Sequence, residues 1–241
     1  MYQAIIEQQN EIFLEEETHT YKLLNSNIKF QSVTEFINTF FTPFNEQKIA
    51  SNLSGKGKYK TMSVNDILMD WKERRDRGTL VHKELEKFIN QSFSQEKSQK
   101  LDMKSKQGVI FLKEKCIGPH NIIFSEVKII SKELQLAGTI DLMIYNKNKN
   151  KIYLIDWKTN INIKKTGYKR GLIPPANLID DCSFNRYQLQ LSVYRYLLEN
   201  YYNASVDGLY IVHLTNESYN ILTCEFEQKY VREMIHTISN K

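Results

Sequence analysis

The chain has 241 residues, 41% hydrophobic and 25% charged, with only nine glycines and four prolines; this excludes collagen-like, linker-dominated and low-complexity classes. Lys and Arg number 33 against 28 acids, a net charge of +5 that is too small to name a partner by itself. No run approaches the roughly 18 to 20 apolar residues of a membrane span, and at roughly 100 to 200 residues per domain the length holds one elaborated domain or two small ones.

The first twenty residues carry Glu7, Glu11, Glu15, Glu16 and Glu17 and no Lys or Arg. That is the opposite of a basic signal-peptide start, so the expected location is the cytoplasm, or the host-cell interior for a viral protein. Segments 11–16 and 19–24 read as a hairpin. Ser32 and Glu35 form a capping box ahead of the apolar run Phe36, Ile37, Phe40 and Phe41, and the helix it starts must stop before Pro43. A second helix is expected over 45–53. The loop after it contains Gly55, Gly57 and Lys56, Lys58 and Lys60, and Ser63 with Asp66 repeats the capping pattern before Ile67, Leu68 and Trp71.

At Gly78 the texture changes. Leu80, Val81, Leu85, Phe88 and Ile89 recur at helical spacing, and a further helix is expected near 96–115. Strands follow over 121–130, 135–145 and 151–157, the last two joined by a polar N-K-N-K-N link that predicts an antiparallel hairpin. Residues 159–182, with Gly167, Gly171 and Pro174-Pro175, lack periodicity, and an irregular segment of this length is usually functional or disordered. A helix over 184–201, strands near 206–214 and 219–225 and a closing helix from about 227 complete the chain. The three cysteines, Cys116, Cys182 and Cys224, fit neither a disulfide framework nor a zinc knuckle. They are expected to be buried, inert thiols.

Two acids stand out in this apolar hairpin: Asp141 within T-I-D-L-M-I and Asp156 near the end of Y-L-I-D-W-K. A buried carboxylate is costly unless it is paired or metal-bound. Strand residues two apart share a face, so Asp156 and Lys158 project together while Trp157 points away and leaves its carbonyl at the strand end. Two acids and an ammonium on one spot suit divalent-metal phosphodiester chemistry, with Mg2+ or Mn2+ as the cofactor. Glu126 lies on the preceding strand, and alternation there allows either the site or solvent. From Lys147 to Arg170 eight basic residues face Asp156 alone, and Lys164 and Lys165 within that run are candidates for a phosphate backbone. His19, His120, His213 and His236 have no comparable partners.

These residues resemble the PD-(D/E)XK nuclease superfamily in its RecB-like branch, over roughly Gly78 to Tyr196. The family's G-T-x-x-H-x-x-x-E helix matches Gly78 to Glu86 and offers His82. Its G-x-x-D strand matches Gly138 to Asp141, its D-x-K strand Asp156 to Lys158, and its Q-x-x-x-Y helix Gln190 and Tyr194. The proline of the superfamily's name is absent, since Thr139-Ile140 precede Asp141. Gln190 and Tyr194 could equally flank the apolar stripe of Leu189, Val193 and Leu197.

The resemblance implies an α/β fold, a restriction-endonuclease-like core with a mixed central β-sheet flanked by helices over 78–241, with an N-terminal β-hairpin and helices over 1–77. It implies metal ligation by His82, Asp141, Asp156, the Trp157 carbonyl and Glu126, catalysis by Asp141, Asp156 and Lys158, and substrate positioning by Gln190 and Tyr194. The N-terminal pattern resembles single-domain exonucleases related to the mitochondrial genome maintenance exonuclease and to phage nucleases. The expected partner is therefore DNA, single-stranded ends first, with a helicase or recombination protein as a further partner and no membrane. The competing expectations are an endonuclease on duplex DNA or RNA, and a catalytically silent nucleic-acid-binding subunit. Asp156→Asn or Lys158→Ala is expected to abolish cleavage and leave the fold intact.

Overall fold

In the computed structural model, which describes residues 2–15, 18, 20–94 and 100–239, the chain is α/β, with a mixed six-stranded sheet flanked by helices and an N-terminal two-stranded hairpin. Glu16, Glu17 and His19, and residues 96–99 of the helix expected at 96–115, lie outside the described residues.

In chain order the elements are α1 (Tyr2–Glu7), β1 (Ile12–Glu15), β2 (Thr20–Leu23), β3 (Gln31–Ser32), α2 (Val33–Asn38), α3 (Glu46–Leu53) and α4 (Val64–Asn90). Then come α5 (Met103–Phe111), β4 (Asn121–Ser131), β5 (Leu136–Asn146), β6 (Lys151–Lys158), α6 (Ser183–Tyr201), β7 (Val206–Leu214), β8 (Tyr219–Cys224) and α7 (Gln228–Ser239). Both expected capping boxes are present. Ser32 Oγ accepts from the Glu35 N–H and Ser63 Oγ from the Asp66 N–H, and each acid accepts in return from its cap residue's N–H, so the first orphan donors of α2 and α4 are satisfied locally.

The helix begun at Ser63 does not stop near Gly78. It runs 27 residues as α4, so the expected boundary between 77 and 78 falls inside a continuous helix. The reason is packing. Ile67 is buried against α3 with Ala50 and Tyr59, while Val81, Leu85 and Phe88 are buried against the sheet, and one helix serves both small cores. Gly78 is the point of close approach, where an added Cβ would sit 3.0 Å from Thr159 Oγ1 just past β6. After α5 the chain continues through one π-helical turn, Leu112–Cys116.

β4 pairs antiparallel along the whole of β5. On its other edge β5 meets β3 in parallel at Leu136 and Ala137, and β6 antiparallel from Leu142 to Asn146. Gly138 to Asp141 lie between these two ladders. β7 then adds parallel to β6, and β8 antiparallel to β7. Alternation divides β6 as expected: Ile152 and Leu154 join the core under α6 and α7, while Ile155 and Trp157 join the core under α4 and α5. All three cysteines are buried and unpaired. Among the described residues no helix is long and apolar enough to cross a membrane.

Candidate metal centre

The β5–β6 ladder ends at Leu142 and Ile155. One step further along the same register Asp141 faces Asp156, and there a side chain replaces the ladder, with the Trp157 N–H donating to Asp141 Oδ2 at 2.8 Å. On the other side, the β4–β5 pairs Ser125–Leu142 and Val127–Ile140 bracket Glu126, which the register sets opposite Asp141. Glu126 is in the left-handed region, φ +49°. A non-glycine residue pays about 1–2 kcal/mol for this conformation, and such strain persists where surrounding structure enforces it. Its carboxylate reaches the site.

His82, on α4, faces both acids. Its Nδ1 is 3.7 Å from Asp141 Oδ1 and 3.8 Å from Glu126 Oε1, beyond hydrogen-bond reach. The ligand atoms of His82, Glu126 and Asp141 all lie within 4.8 Å of one another. Burial works against the imidazolium, but the neighbouring Asp141 and Glu126 carboxylates outweigh it and hold His82 up at about 9. Burial likewise raises Asp141, an effect His82 opposes and Glu126 reinforces. Perturbed ionisation at convergent side chains is a mark of a functional site. One imidazole nitrogen and two carboxylates are donors for a hard or borderline divalent ion, and the set fits Mg2+ or Mn2+.

Asp156 is not a member of that trio. It is 3% exposed, and Lys158 Nζ sits 2.7 Å from its Oδ2. The approach is off the hydrogen-bond direction and leaves Oδ2 without an aligned donor. Burial lifts Asp156 to about 6 despite the lysine. Lys158 is raised above its ordinary value, because Asp156 and Asp141 overcome the cost of burial. Its ammonium also lies 4.4 Å from the centre of the Tyr187 ring. Asp156 is thus bound up with Lys158, whereas direct ligation beside Asp141 was expected. The Trp157 N–H is taken up by Asp141.

The trio opens into a cavity of about 580 Å³. Arg75, Gly78, Thr79, His82, Lys83 and Glu86 line it as one stripe of α4, at the spacing of successive turns. Tyr21, from the hairpin, forms the opposite wall, its hydroxyl 2.9 Å from Thr139 Oγ1. Gln190 and Tyr194 line the cavity too, but Gln190 Nε2 donates to the Tyr194 hydroxyl, and it is Tyr187, unmarked in the sequence reading, that touches Lys158. Lys164 and Lys165 do not line it. The backbone N–H of Lys164 donates to Ser183 Oγ and the Lys165 ammonium lies over Phe184, so both sit at the start of α6, on the loop outside.

Tyr194 explains Gly138. An added Cβ there would lie 2.4 Å from Tyr194 Cε1, and the ring is 3% exposed and cannot swing clear. Gly138→Ala is expected to cost about 1–3 kcal/mol, the usual penalty for overpacking, read as a lowered thermal midpoint. Adding Tyr194→Leu should recover part of the loss; an unchanged midpoint in Gly138→Ala alone would refute the contact.

Arg75 and Tyr21 had no signal as single residues. Arg75 could have been found only by extending the α4 stripe back one turn past Gly78, and Tyr21 enters through the docking of the hairpin, by its bridge to Phe30.

No family model matches the chain, and no curated protein matches it. Among solved structures, one described as "Crystal structure of SSO0001" is similar over 94% of this chain and 81% of its own, at 15% identity and a TM-score of 0.41.

Proposed function

We propose that this chain is a metal-dependent deoxyribonuclease of the PD-(D/E)XK kind, with a restriction-endonuclease-like core, acting on the ends of single-stranded DNA. The observation that carries the reading is the convergence of His82, Glu126 and Asp141 beside the Lys158–Asp156 pair at the head of one cavity. Those three side chains would hold Mg2+ or Mn2+, with Asp156 next to them. When bound, such an ion acidifies a coordinated water and neutralises phosphoryl charge.

The chain's own groups do the remainder. Lys158 stays protonated, so it serves as a donor and a positive charge for a phosphate oxygen as negative charge grows there. Asp156, at about 6, is ionised at neutral pH and able to accept a proton. Gln190, Tyr194 and Tyr21 wall the space for the nucleotide. The cavity volume is in the ordinary range for small-ligand pockets.

The test is cleavage of end-labelled linear and circular single strands with Mg2+, Mn2+ or EDTA. Metal-dependent loss of linear strands alone is expected. Cutting of circles would make the chain an endonuclease, and no cutting of any single or double strand, DNA or RNA, would overturn the reading.

A pH dependence follows from His82. A metal needs the neutral imidazole and must displace the proton that is held up to about pH 9. Apparent Mn2+ affinity, measured by calorimetry, is therefore expected to climb between pH 6.5 and 9, by up to about tenfold per pH unit. His82→Ala should weaken and flatten the curve; equal wild-type affinity at pH 6.5 and 8.5 would take His82 out of the ligand set.

A further inference from the structure

The loop that joins β6 to α6 has its ends on the two elements that carry Asp156, Lys158, Gln190 and Tyr194. Residues 159–179 contain four basic residues, Lys164, Lys165, Lys169 and Arg170, and no acid. All four are exposed. At the centre of this basic run Tyr168 is 108% exposed, and its hydroxyl has no hydrogen-bond partner among the described residues.

A single exposed aromatic is unremarkable on a floppy loop, but this one stands on a braced base. The Asp181 N–H donates to the Lys169 carbonyl at 2.7 Å, the Arg170 and Asp180 backbones form an antiparallel β-bridge, and the Gly167 N–H donates to Asp180 Oδ2. Gly167 lies so close to this return segment that a Cβ would fall 2.4 Å from the Asp181 carbonyl oxygen. Arg186 of α6 then ties Asp181 to Asn38 of α2, and the Leu172 N–H donates to the Phe40 carbonyl. Of the two acids on this return segment, Asp181 is held by Arg186 and Asp180 accepts from the Gly167 N–H. Among the described residues neither Lys169 nor Arg170 pairs with an acid. The fold spends several hydrogen bonds and a glycine on holding a bare aromatic ring between cations.

We propose that Tyr168, flanked by Lys169 and Arg170, is a stacking platform for an unpaired base of the nucleic-acid strand outside the cavity, the two cations holding the adjoining phosphates. The surface rests on the nuclease reading for its partner. The chemistry is that of single-strand binding surfaces, in which an aromatic face takes any base and basic residues follow the backbone. Charge complementarity selects a polyanion, and the nuclease reading makes that polyanion the substrate strand. Lys165 is left to Phe184 and plays no part in the platform.

The experiment measures binding of a fluorescein-labelled oligothymidylate to the full chain in EDTA by anisotropy, together with Mn2+-dependent hydrolysis of bis(p-nitrophenyl) phosphate, a diester too small to reach the loop. Tyr168→Ala is expected to weaken oligonucleotide binding about 5- to 100-fold, the usual worth of one stacked base, and to leave the small diester untouched. Tyr168→Trp should bind within about twofold of wild type. Lys169→Ala/Arg170→Ala should lower the slope of log affinity against log salt by about 1.4, at roughly 0.7 per single-strand phosphate contact.

Oligonucleotide binding unchanged in Tyr168→Ala overturns the inference. Failure of the wild type to bind the oligonucleotide, with small-diester hydrolysis intact, overturns it too and leaves the metal site standing. Tyr168-dependent binding with no hydrolysis of either substrate supports the platform and overturns the nuclease reading. Tyr168-dependent binding to phosphatidylserine vesicles without oligonucleotide binding would assign the surface to a lipid partner and overturn the inference.

Discussion

Replacing Asp141 with asparagine is expected to lower Mn2+-dependent cleavage by at least about a thousandfold, roughly 4 kcal/mol of transition-state stabilisation, while the protein stays folded. Asp141 has two jobs on two oxygens. Oδ2 accepts the Trp157 N–H and closes the end of the β5–β6 ladder, while Oδ1 faces His82 at 3.7 Å. An asparagine can keep its carbonyl oxygen on the Trp157 N–H, so the structural bond survives. Its amide then points at His82 and at the place an ion would take, a donor where a ligand would be required. His82 also loses the carboxylate that does most to hold its proton, so its pKa should fall from about 9 toward 6.5. Single-turnover cleavage, a thermal melt and an NMR titration of His82 separate these effects. Cleavage within tenfold of wild type would remove Asp141 from the chemistry.

The second large effect falls on stability. Lys158→Ala is expected to destabilise the fold by about 3–5 kcal/mol, because it strands a buried carboxylate. The Asp156 side chain is 4% exposed and the Lys158 side chain 17%. This reverses the expectation from the sequence that the lysine could be removed with the fold intact. At the strand end Asp156 and Lys158 form an ion pair beside the Tyr187 ring. Asp156→Asn/Lys158→Met, which removes both charges, should recover most of the loss.

The sign of the pH effect is fixed by Asp156. Its folded pKa is raised, so its burial costs nothing below the ordinary value of 3.8, costs progressively more as pH rises from there, and costs most above about 6. Without Lys158 that pKa rises further, so the deficit of the single variant should open as pH rises above about 6 and close as pH falls back to about 6. Urea unfolding of the single and double variants at pH 5 and 8 measures both. A deficit under 1 kcal/mol at pH 8 would show that the pair carries little energy. Activity loss in Lys158→Ala therefore has to be read on the folded fraction alone.

Much of the fold is legible because its signals are local. The two capping boxes, the three strands from 121 to 158 and the helix over 183–201 each follow from residues within one or two turns of one another. Where the reading slipped, the deciding contacts were distant. α4 passes through Gly78 because Ala50 and Tyr59 at one end and the sheet at the other reward a single straight helix. Residues 159–182 are as irregular as expected, yet backbone bonds from Asp181 to Lys169 and from Phe184 to Lys164, twelve and twenty positions apart, brace the loop.

The same division holds for the site. Strand alternation by itself put Asp156 and Lys158 on one face with Trp157 on the other, and helical spacing put His82 and Glu86 on a common stripe; periodicity is a property of the chain alone. Only the tertiary structure decided the grouping. Glu126 joins His82 and Asp141 through a left-handed backbone angle that alternation cannot predict. Asp156 is diverted to Lys158 because both are buried together, and in a dry interior a charge takes the nearest opposite charge. Tyr21 and Arg75 reach the cavity, and Lys164 and Lys165 stay outside it, for a related reason: which side chains share a space is set by how the hairpin, α4 and the loop pack, and that long-range arrangement is not written in the spacing of any one segment.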